Sequence, residues 1–450
     1  MLVLGLGETG LSMAKWLTRE GARVAVADSR VSPPNVDALH AACPLATLST
    51  GGFAREYFSG IDLIAVSPGI ALTEPELRTA TARGVPVVGD IELFARAIAG
   101  KPAARTIGIT GSNGKSTVTA MAGAMCRKAG VRVSVAGNIG PAALDALMAV
   151  EDQGEYPEVW VLELSSFQLE STASLNFDAG AMLNLSEDHL DRYAGMAEYA
   201  RAKARIFSGN GIQVLNRDDP ASMAMRISGR EVRTFGIGDP SRPGDWGMRG
   251  EWLAQGEQAV MRSSDLKVSG RHNLANALAA FALTTAIGLP SAKLAAGLAE
   301  FPGLPHRMQR VAILAGKIFI DDSKGTNVGA TVAALSGMDR PTVLIAGGEG
   351  KGQDFAPLAS AVTAHARAVV LLGRDAEHIA QALAGTGVPL HRAGSMQEAV
   401  GTAFGVAQPG DAVLLSPACA SFDMFRNYAQ RAEAFIAAVD ALEVRFGDAA

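Results

Sequence analysis

The plainest chemical signal in the chain is the run Gly108-Ile109-Thr110-Gly111-Ser112-Asn113-Gly114-Lys115-Ser116-Thr117. It follows an apolar stretch and leads into the helix-forming residues Val118 to Lys128. Backbone N–H groups of such a glycine-rich loop cradle phosphate oxygens, a lysine at position 115 can reach the β- and γ-phosphates, and the hydroxyl of Ser116 or Thr117 can coordinate Mg²⁺. The chemistry is binding of a nucleoside triphosphate, with ATP the expected ligand. The strict pattern G-x-x-x-x-G-K-[ST] needs glycine at 109, where isoleucine stands, so the loop is a variant with glycines at 108, 111 and 114. A glycine-rich turn carrying an exposed lysine is the bland alternative.

Further along, Val159-Trp160-Val161-Leu162-Glu163 ends an apolar run in a carboxylate, where a parallel-sheet nucleotide-binding protein keeps its second Mg²⁺ ligand. Glu163 is the metal candidate, or else a capping carboxylate ahead of Ser165 and Ser166. Asn184 to Tyr193 gathers Glu187, Asp188, His189, Asp191 and Arg192, ligand-type groups dense enough for a second metal or a substrate contact. A lone His189 is also what a hydrogen-bonded structural histidine looks like. Lys203, in the Ala-rich run Tyr199 to Phe207, reads as an exposed amine.

Near the start, Gly5-Leu6-Gly7-Glu8-Thr9-Gly10 fits G-x-G-x-x-G, and Asp28 follows 18 residues after Gly10. Glycines there let the backbone approach a pyrophosphate, and the acid can bond a ribose hydroxyl. The motif specifies a diphosphate attached to a ribose. A nicotinamide dehydrogenase and a UDP-sugar binder satisfy it equally, and a tight strand-to-helix turn with no ligand would look the same.

The elements that position these groups are short apolar runs followed by Ala-rich helical segments: Leu2 to Gly5, Val24 to Asp28, Leu63 to Ser67, Thr106 to Gly111, Val159 to Glu163, Val343 to Gly347, Val369 to Gly373 and Ala412 to Ser416. Continuous rather than alternating apolar residues predict strands buried on both faces, hence an α/β protein built on parallel sheets. Breakers at Gly100-Lys101-Pro102 and Phe301 to Pro305 divide the 450 residues into segments 1–99, 100–303 and 304–450. The stretch Gly236 to Gly256, with Pro240 and Pro243, reads as an irregular excursion at the edge of the middle segment.

Composition narrows the partners. Hydrophobic residues make up 48% and charged residues 19%, too apolar for disorder. With 40 Lys+Arg against 45 Asp+Glu the net charge is -5, so nucleic acid and anionic membranes are not expected partners. Three cysteines, Cys43, Cys126 and Cys419, support neither a disulfide framework nor a zinc site, and a reducing, cytoplasmic location fits. The apolar stretch Ala275 to Leu289 falls short of the roughly 18 to 20 residues that span a bilayer.

Taken with their neighbours, these residues resemble the ATP-dependent Mur ligases, a family that has folylpolyglutamate synthetase as a relative. The variant loop Thr110 to Ser116 is similar to that family's phosphate loop. So, in order along the chain, are Gly5 to Ser12, Ser67-Pro68-Gly69, Gly137 to Gly140, Glu163 to Glu170, Asp188 to Tyr193, Lys203 to Phe207, Arg271-His272-Asn273 through Ala280, Pro305-His306-Arg307, Asp322 to Asn327, Gly347 to Phe355 and Ser416 to Asp423. As a set they resemble the branch that joins D-glutamate to UDP-N-acetylmuramoyl-L-alanine. Gly325 departs from it, standing where alanine is expected.

The resemblance implies three domains: a Rossmann-like N-terminal domain holding the UDP moiety, a central P-loop domain holding ATP, and a Rossmann-like C-terminal domain that completes the site and moves to close it. It implies two Mg²⁺ sites, with Mn²⁺ an alternative, the first on Ser116 and Glu163 and the second on His189 and a Lys203 carbamylated by CO₂. Gly111, Ser112, Asn113, Gly114, Lys115, Ser116, Thr117, Asn276, Arg307 and Asp322 are implied for ATP, with Asn273 as an extra contact. Thr9, Gly10, Asp28, Ser29, Arg30 and Ser67 are implied for the UDP end, and Asn138 for the reacting centre. Lys324, Thr326, Lys351, Ser421, Phe422 and Tyr428 are implied for D-glutamate. The remaining expectations are small-molecule substrates only, no membrane insertion, and a monomer. Within the family the alternative is another Mur ligase or a folylpolyglutamate-type ligase; a dehydrogenase using the first motif, or a P-loop switch hydrolysing ATP slowly, are the readings from other classes.

Overall fold

A computed structural model of the chain describes residues 1–268 and 270–446. Three sheets carry it. The first is five-stranded and parallel, in the order Thr47–Thr50, Ala25–Asp28, Leu2–Leu4, Ile64–Val66, Val87–Val88. Its three central strands are the apolar runs named above, each buried on both faces.

The second sheet has nine strands. Val133–Gly137, Val159–Glu163, Arg105–Thr110, Ala179–Met182, Ile212–Asn216 and Val232–Phe235 lie side by side and parallel. Trp246–Arg249 continues them, and Trp252–Gln255 and Gln258–Arg262 follow as an antiparallel meander. This corrects the expectation of an irregular excursion over 236–256. Pro240 and Pro243 stay outside strands, but Gly250 and Gly256 take positive φ at the two turns and let the chain double back. Trp246 anchors the meander: its ring stacks on Phe281 at 4.4 Å, and its indole N–H donates to Thr285 Oγ1 at 3.2 Å.

The third sheet runs Gln309–Leu314, Lys317–Asp321, Ala412–Leu415, Thr342–Gly347, Ala366–Leu372, Leu390–Arg392, parallel except for the first pair. Helices flank all three sheets, so the architecture is α/β as expected. Among the described residues no helix is long and apolar enough to cross a membrane. The apolar stretch after Ala275 belongs to the helix Arg271–Ala286, whose residues Ala277 to Leu283 are fully buried.

The chain forms two compact units, one comprising Met1–Asn184, Ala197–Ser263 and Ala277–Ala299, the other Leu185–Met196, Ser264–Asn276 and Glu300 onward. The first unit holds the first two sheets and the second holds the third.

Candidate active site

In the first unit, the buried strand Arg105–Thr110 delivers the phosphate loop to the helix Lys115–Lys128. Gly114 takes φ 83° at the helix start, a left-handed conformation that glycine adopts without penalty. A Cβ on Gly111, φ 158°, would stand 2.9 Å from Leu183 Cβ. Asn184 clamps the loop: its Oδ1 accepts the Asn113 N–H at 2.8 Å, its Nδ2 donates to Asn113 O at 3.1 Å, and its carbonyl accepts the Ser112 N–H at 2.9 Å. Lys115 Nζ donates to the carbonyls of Gly111 at 2.9 Å and Ser112 at 3.0 Å, so the ammonium lies folded over the loop. Ser116 and Thr117 are buried in the first helical turn.

Glu163 lies on the neighbouring strand, opposite Ile109, and is 1% exposed. Its Oε1 accepts from Asn138 Nδ2 at 2.7 Å, while its Oε2 is buried without a hydrogen-bond partner. An ionised carboxylate oxygen buried without a donor is costly unless a cation meets it. Glu163 therefore fits a cation such as Mg²⁺, and Ser116, buried in the first turn of the helix after the loop, could supply a further oxygen. Among the described residues no group of three or more His, Cys, Asp and Glu is arranged for a metal. One carboxylate with substrate phosphates completing the shell is the usual Mg²⁺ arrangement. Gly137 makes the approach of Asn138 possible: a Cβ there would stand 2.3 Å from the Glu163 carbonyl oxygen.

Lys203 corrects the sequence reading. It is not an exposed amine: it is 1% exposed, and its Nζ donates to Gly111 O at 2.9 Å and Thr110 Oγ1 at 3.4 Å, with the Tyr199 ring centroid 4.8 Å away. The Tyr199 hydroxyl lies 3.3 Å from Ser112 Oγ. Tyr199 and Lys203, four residues apart on the helix Met196–Ala204, thus put one face of that helix against the phosphate loop. The i, i+4 spacing was present in the sequence but carries no sign of which face is buried.

The first glycine motif forms a tight strand-to-helix turn. Gly5 takes φ 86°, and a Cβ on Gly10 would fall 1.8 Å from the Gly5 carbonyl oxygen. Ser67 Oγ donates to that carbonyl at 3.2 Å. Asp28 accepts from the Leu6 N–H at 2.6 Å, the Arg30 N–H at 2.9 Å and the Arg30 guanidinium at 2.7 and 2.8 Å. Burial pushes its carboxyl up, but hydrogen bonds from the Arg30 guanidinium and from the Arg30 and Leu6 N–H groups outweigh it, and the net direction is below the ordinary aspartate value. Asp28 therefore braces the loop and aims Arg30. Ser29 is exposed beside it, and Thr9 lies in the first turn of the helix Glu8–Arg19.

His189 and the implied residues from Asn273 onward belong to the second unit. His189 sits at φ 56°, its N–H donates to Asp188 Oδ1 at 3.0 Å, and its Nε2 is 3.6 Å from Asp188 Oδ2. Asp188 also receives Lys351 Nζ at 2.7 Å and Asn327 Nδ2 at 3.3 Å. Lys324 Nζ stands 3.7 Å from the centroid of the Tyr428 ring, a cation–π pair. Thr326 N–H donates to the Lys324 carbonyl at 2.9 Å, Ser421 is buried, and Phe422 is 69% exposed. Asn273 and Arg307 line one cavity of about 920 Å³ together with His272, and Asn276 Nδ2 donates to Asn273 Oδ1 at 3.3 Å.

Asp322 accepts from Ser416 Oγ at 2.7 Å and the Met308 N–H at 3.3 Å. Burial pushes its carboxyl up to about 7, against the Ser416 hydrogen bond and the Arg307 charge. Between the unfolded value near 3.8 and about 7 the folded protein keeps a proton the unfolded chain has lost, so this contribution to stability is full below pH 4 and falls as pH rises toward 7. Asp322→Asn is expected to flatten that part of the melting-temperature profile; an unchanged slope in thermal melts from pH 4 to 7 would contradict it. Gly325 suits this arrangement, since a Cβ would lie 2.7 Å from Asp322 Oδ2 and 2.8 Å from Ser416 Oγ. One residue the sequence reading missed is Arg431, 1% exposed, whose guanidinium donates to Ser323 Oγ at 3.0 Å, Ser323 O at 2.7 Å and Cys419 O at 3.0 Å. It ties the segment carrying Lys324 to the segment carrying Ser421. An arginine in a surface-type helix pattern gives no sign of this.

Comparison with known proteins settles the family. Residues 109–284 match the Mur ligase middle domain, 1–89 the Mur ligase MurD-like N-terminal domain, and 306–419 the Mur ligase glutamate ligase domain. The chain is 58% identical to a UDP-N-acetylmuramoylalanine--D-glutamate ligase of Nitrosospira multiformis, covering 98% of this chain and 95% of that one. It is 56% identical to the protein of that name from Thiobacillus denitrificans, over 98% and 96%. The chain belongs to the Mur ligase family. Among solved Mur ligases it resembles the fold of MurF from Acinetobacter baumannii, at TM-score 0.64 and 16% identity over 97% of this chain and 93% of that one. MurC from Thermotoga maritima gives TM-score 0.61 at 18% identity over 98% and 99%. Membership in this ligase family sets aside the dehydrogenase and switch readings of the two glycine loops.

Proposed function

We propose that this Mur ligase joins D-glutamate to UDP-N-acetylmuramoyl-L-alanine at the expense of ATP, in the cytoplasm and as a monomer, making a peptidoglycan precursor. Support comes from identity above 50% along the whole chain to ligases so named, joined to a phosphate loop beside a buried carboxylate with one oxygen unmet. Residues 1–99 hold the UDP end through Thr9, Gly10, Ser29, Arg30 and Ser67, with Asp28 bracing them. Residues 100–303 hold the triphosphate, and Asn276, Arg307 and Asp322 serve the rest of the nucleotide. Residues 304–450 present Lys324, Thr326, Lys351, Ser421, Phe422 and Tyr428 to D-glutamate, whose two carboxylates call for cations and hydroxyls.

The alanyl carboxylate oxygen attacks the γ-phosphorus of ATP, ADP leaves, and an acyl phosphate remains. The amine of D-glutamate attacks the acyl carbon, loses a proton, and the tetrahedral intermediate expels phosphate. Poor leaving-group chemistry becomes good, and the protein's task is alignment and charge neutralisation. The loop N–H groups and Lys115 meet the phosphate oxygens. Asn138, held by Glu163, faces the reacting centre. Mg²⁺ on Ser116 and Glu163 would supply further neutralisation, and Mn²⁺ is its natural substitute. We place a second Mg²⁺ on His189 and on Lys203 as a carbamate, because an ammonium cannot ligate a cation whereas the CO₂ adduct of an amine is carboxylate-like.

Phosphate release from ATP is expected to require both UDP-N-acetylmuramoyl-L-alanine and D-glutamate. Equal release with L-glutamate, or with no amino acid, would overturn the assignment.

A further inference from the structure

We propose that Asp90 is a positioning residue for the metal-facing carboxylate of Glu163, acting through the side-chain amide of Gln168 and the turn at Ser165; the proposal rests on the ligase reading above. Asp90 opens the helix Asp90–Ile98 and is 1% exposed. Its Oδ2 accepts from Gln168 Nε2 at 2.9 Å, and its Oδ1 is buried without a hydrogen-bond partner. Gln168, itself 3% exposed, is the third residue of the helix Ser166–Glu170. Its Oε1 accepts the Ser165 N–H at 3.1 Å and the Ser165 hydroxyl at 3.2 Å, and its own N–H returns to Ser165 Oγ at 3.2 Å, completing a capping box.

Only Leu164 separates this cap from Glu163. Leu164 N–H donates to Ile109 O at 2.9 Å, and Thr110 Oγ1 donates to Leu164 O at 2.8 Å. The turn after Glu163 is therefore pinned by the phosphate-loop strand on one side and by Asp90, through Gln168, on the other. The grip is broader than one bond. Glu92 Oε2 accepts the N–H groups of Ala173 at 2.8 Å and Ser174 at 2.9 Å, and a Cβ on Gly89 would lie 2.1 Å from Ser171 Oγ.

An amide can present either end to a neighbour, whereas a carboxylate only accepts. Asp90 therefore accepts only from Gln168 Nε2 and reinforces the orientation that the Ser165 N–H also selects, Oε1 toward the cap, whereas an asparagine at 90 could meet either end of that amide. Burial pushes the Asp90 carboxyl up to about 6, so near neutral pH and above it the accepting form prevails.

The test is the isosteric Asp90→Asn, measured by calorimetric binding of Mg²⁺ with a non-hydrolysable ATP analogue and by steady-state kinetics. Groups bonded directly to a metal ligand affect affinity by about ten- to a hundredfold; Asp90 stands further back, so the low end, about tenfold weaker binding and a lower kcat, is expected, with the KM for the UDP substrate unchanged. In Asp90→Asn combined with Gln168→Glu, the new amide donates to the new carboxylate, which still accepts from Ser165. That double variant is expected to return to within about threefold of the parent, since glutamate serves equally in a capping box. Unchanged binding in a folded single variant would overturn the proposal, and so would a double variant as weak as the single. Should the single variant not fold, a folded double variant that binds more than about threefold more weakly than the parent overturns the proposal. Turnover by the parent tests the ligase reading separately, so a failure of one is distinguishable from a failure of the other.

Discussion

Lys115→Ala is expected to lower kcat by about 10³-fold, the scale on which preorganised donors to a developing charge act in a dry site. The structure gives the physical reason. The Lys115 ammonium is already held by two carbonyls of its own loop, at 2.9 and 3.0 Å, so it does not need to be gathered from solvent when a triphosphate enters. Because those carbonyl bonds lie within one loop, stability should change little, and the loss should appear in phosphate release rather than in the melting temperature. A kcat within tenfold of the parent would show that the charge is met elsewhere.

Lys203→Ala carries the second large effect, a loss of about 10³-fold or more, comparable to removing a metal-centred charge of several kcal/mol. Two physical roles compete for this buried side chain. As an ammonium it supports the phosphate loop through Gly111 O; as a carbamate it would add a negative oxygen for a metal. Lys203→Arg separates them, because arginine keeps the cation and forms no stable carbamate. If the carbamate is what matters, the arginine variant is as inactive as the alanine variant, and ¹³C NMR in ¹³CO₂-equilibrated buffer shows a carbamate signal in the parent that both variants lack. An active arginine variant would assign Lys203 to loop support alone.

The strands that were legible from sequence are those buried on both faces. Leu2–Leu4, Ile64–Val66 and Ala412–Leu415 are unbroken apolar runs, and Val159–Glu163 is one up to its final carboxylate, because no face of theirs meets water. Edge strands such as Thr47–Thr50 and Leu390–Arg392 carry polar residues and left no such trace. Ala179–Met182 is central and fully buried yet equally silent. Its Ala179, Gly180, Ala181 and Met182 carry none of the β-branched side chains by which strands are recognised, and a Cβ on Gly180 would stand only 3.0 Å from Ile206 O. The site divides in the same way. The phosphate loop and Glu163 were legible because spacing and strand position are written locally. The burial of Lys203, the Asn184 clamp, Arg431 and the Asp90–Gln168 bond were not, because each depends on a partner distant in the chain.

In the proposed reaction, phosphoryl transfer turns the substrate carboxylate into an electrophile. It is tested most directly with UDP-N-acetylmuramoyl-L-alanine carrying ¹⁸O in the alanyl carboxylate. The carboxylate oxygen that attacks the γ-phosphorus leaves with it when the amide forms, so the released phosphate is expected to contain one ¹⁸O per turnover. Phosphate free of label, alongside full amide formation, would contradict the account.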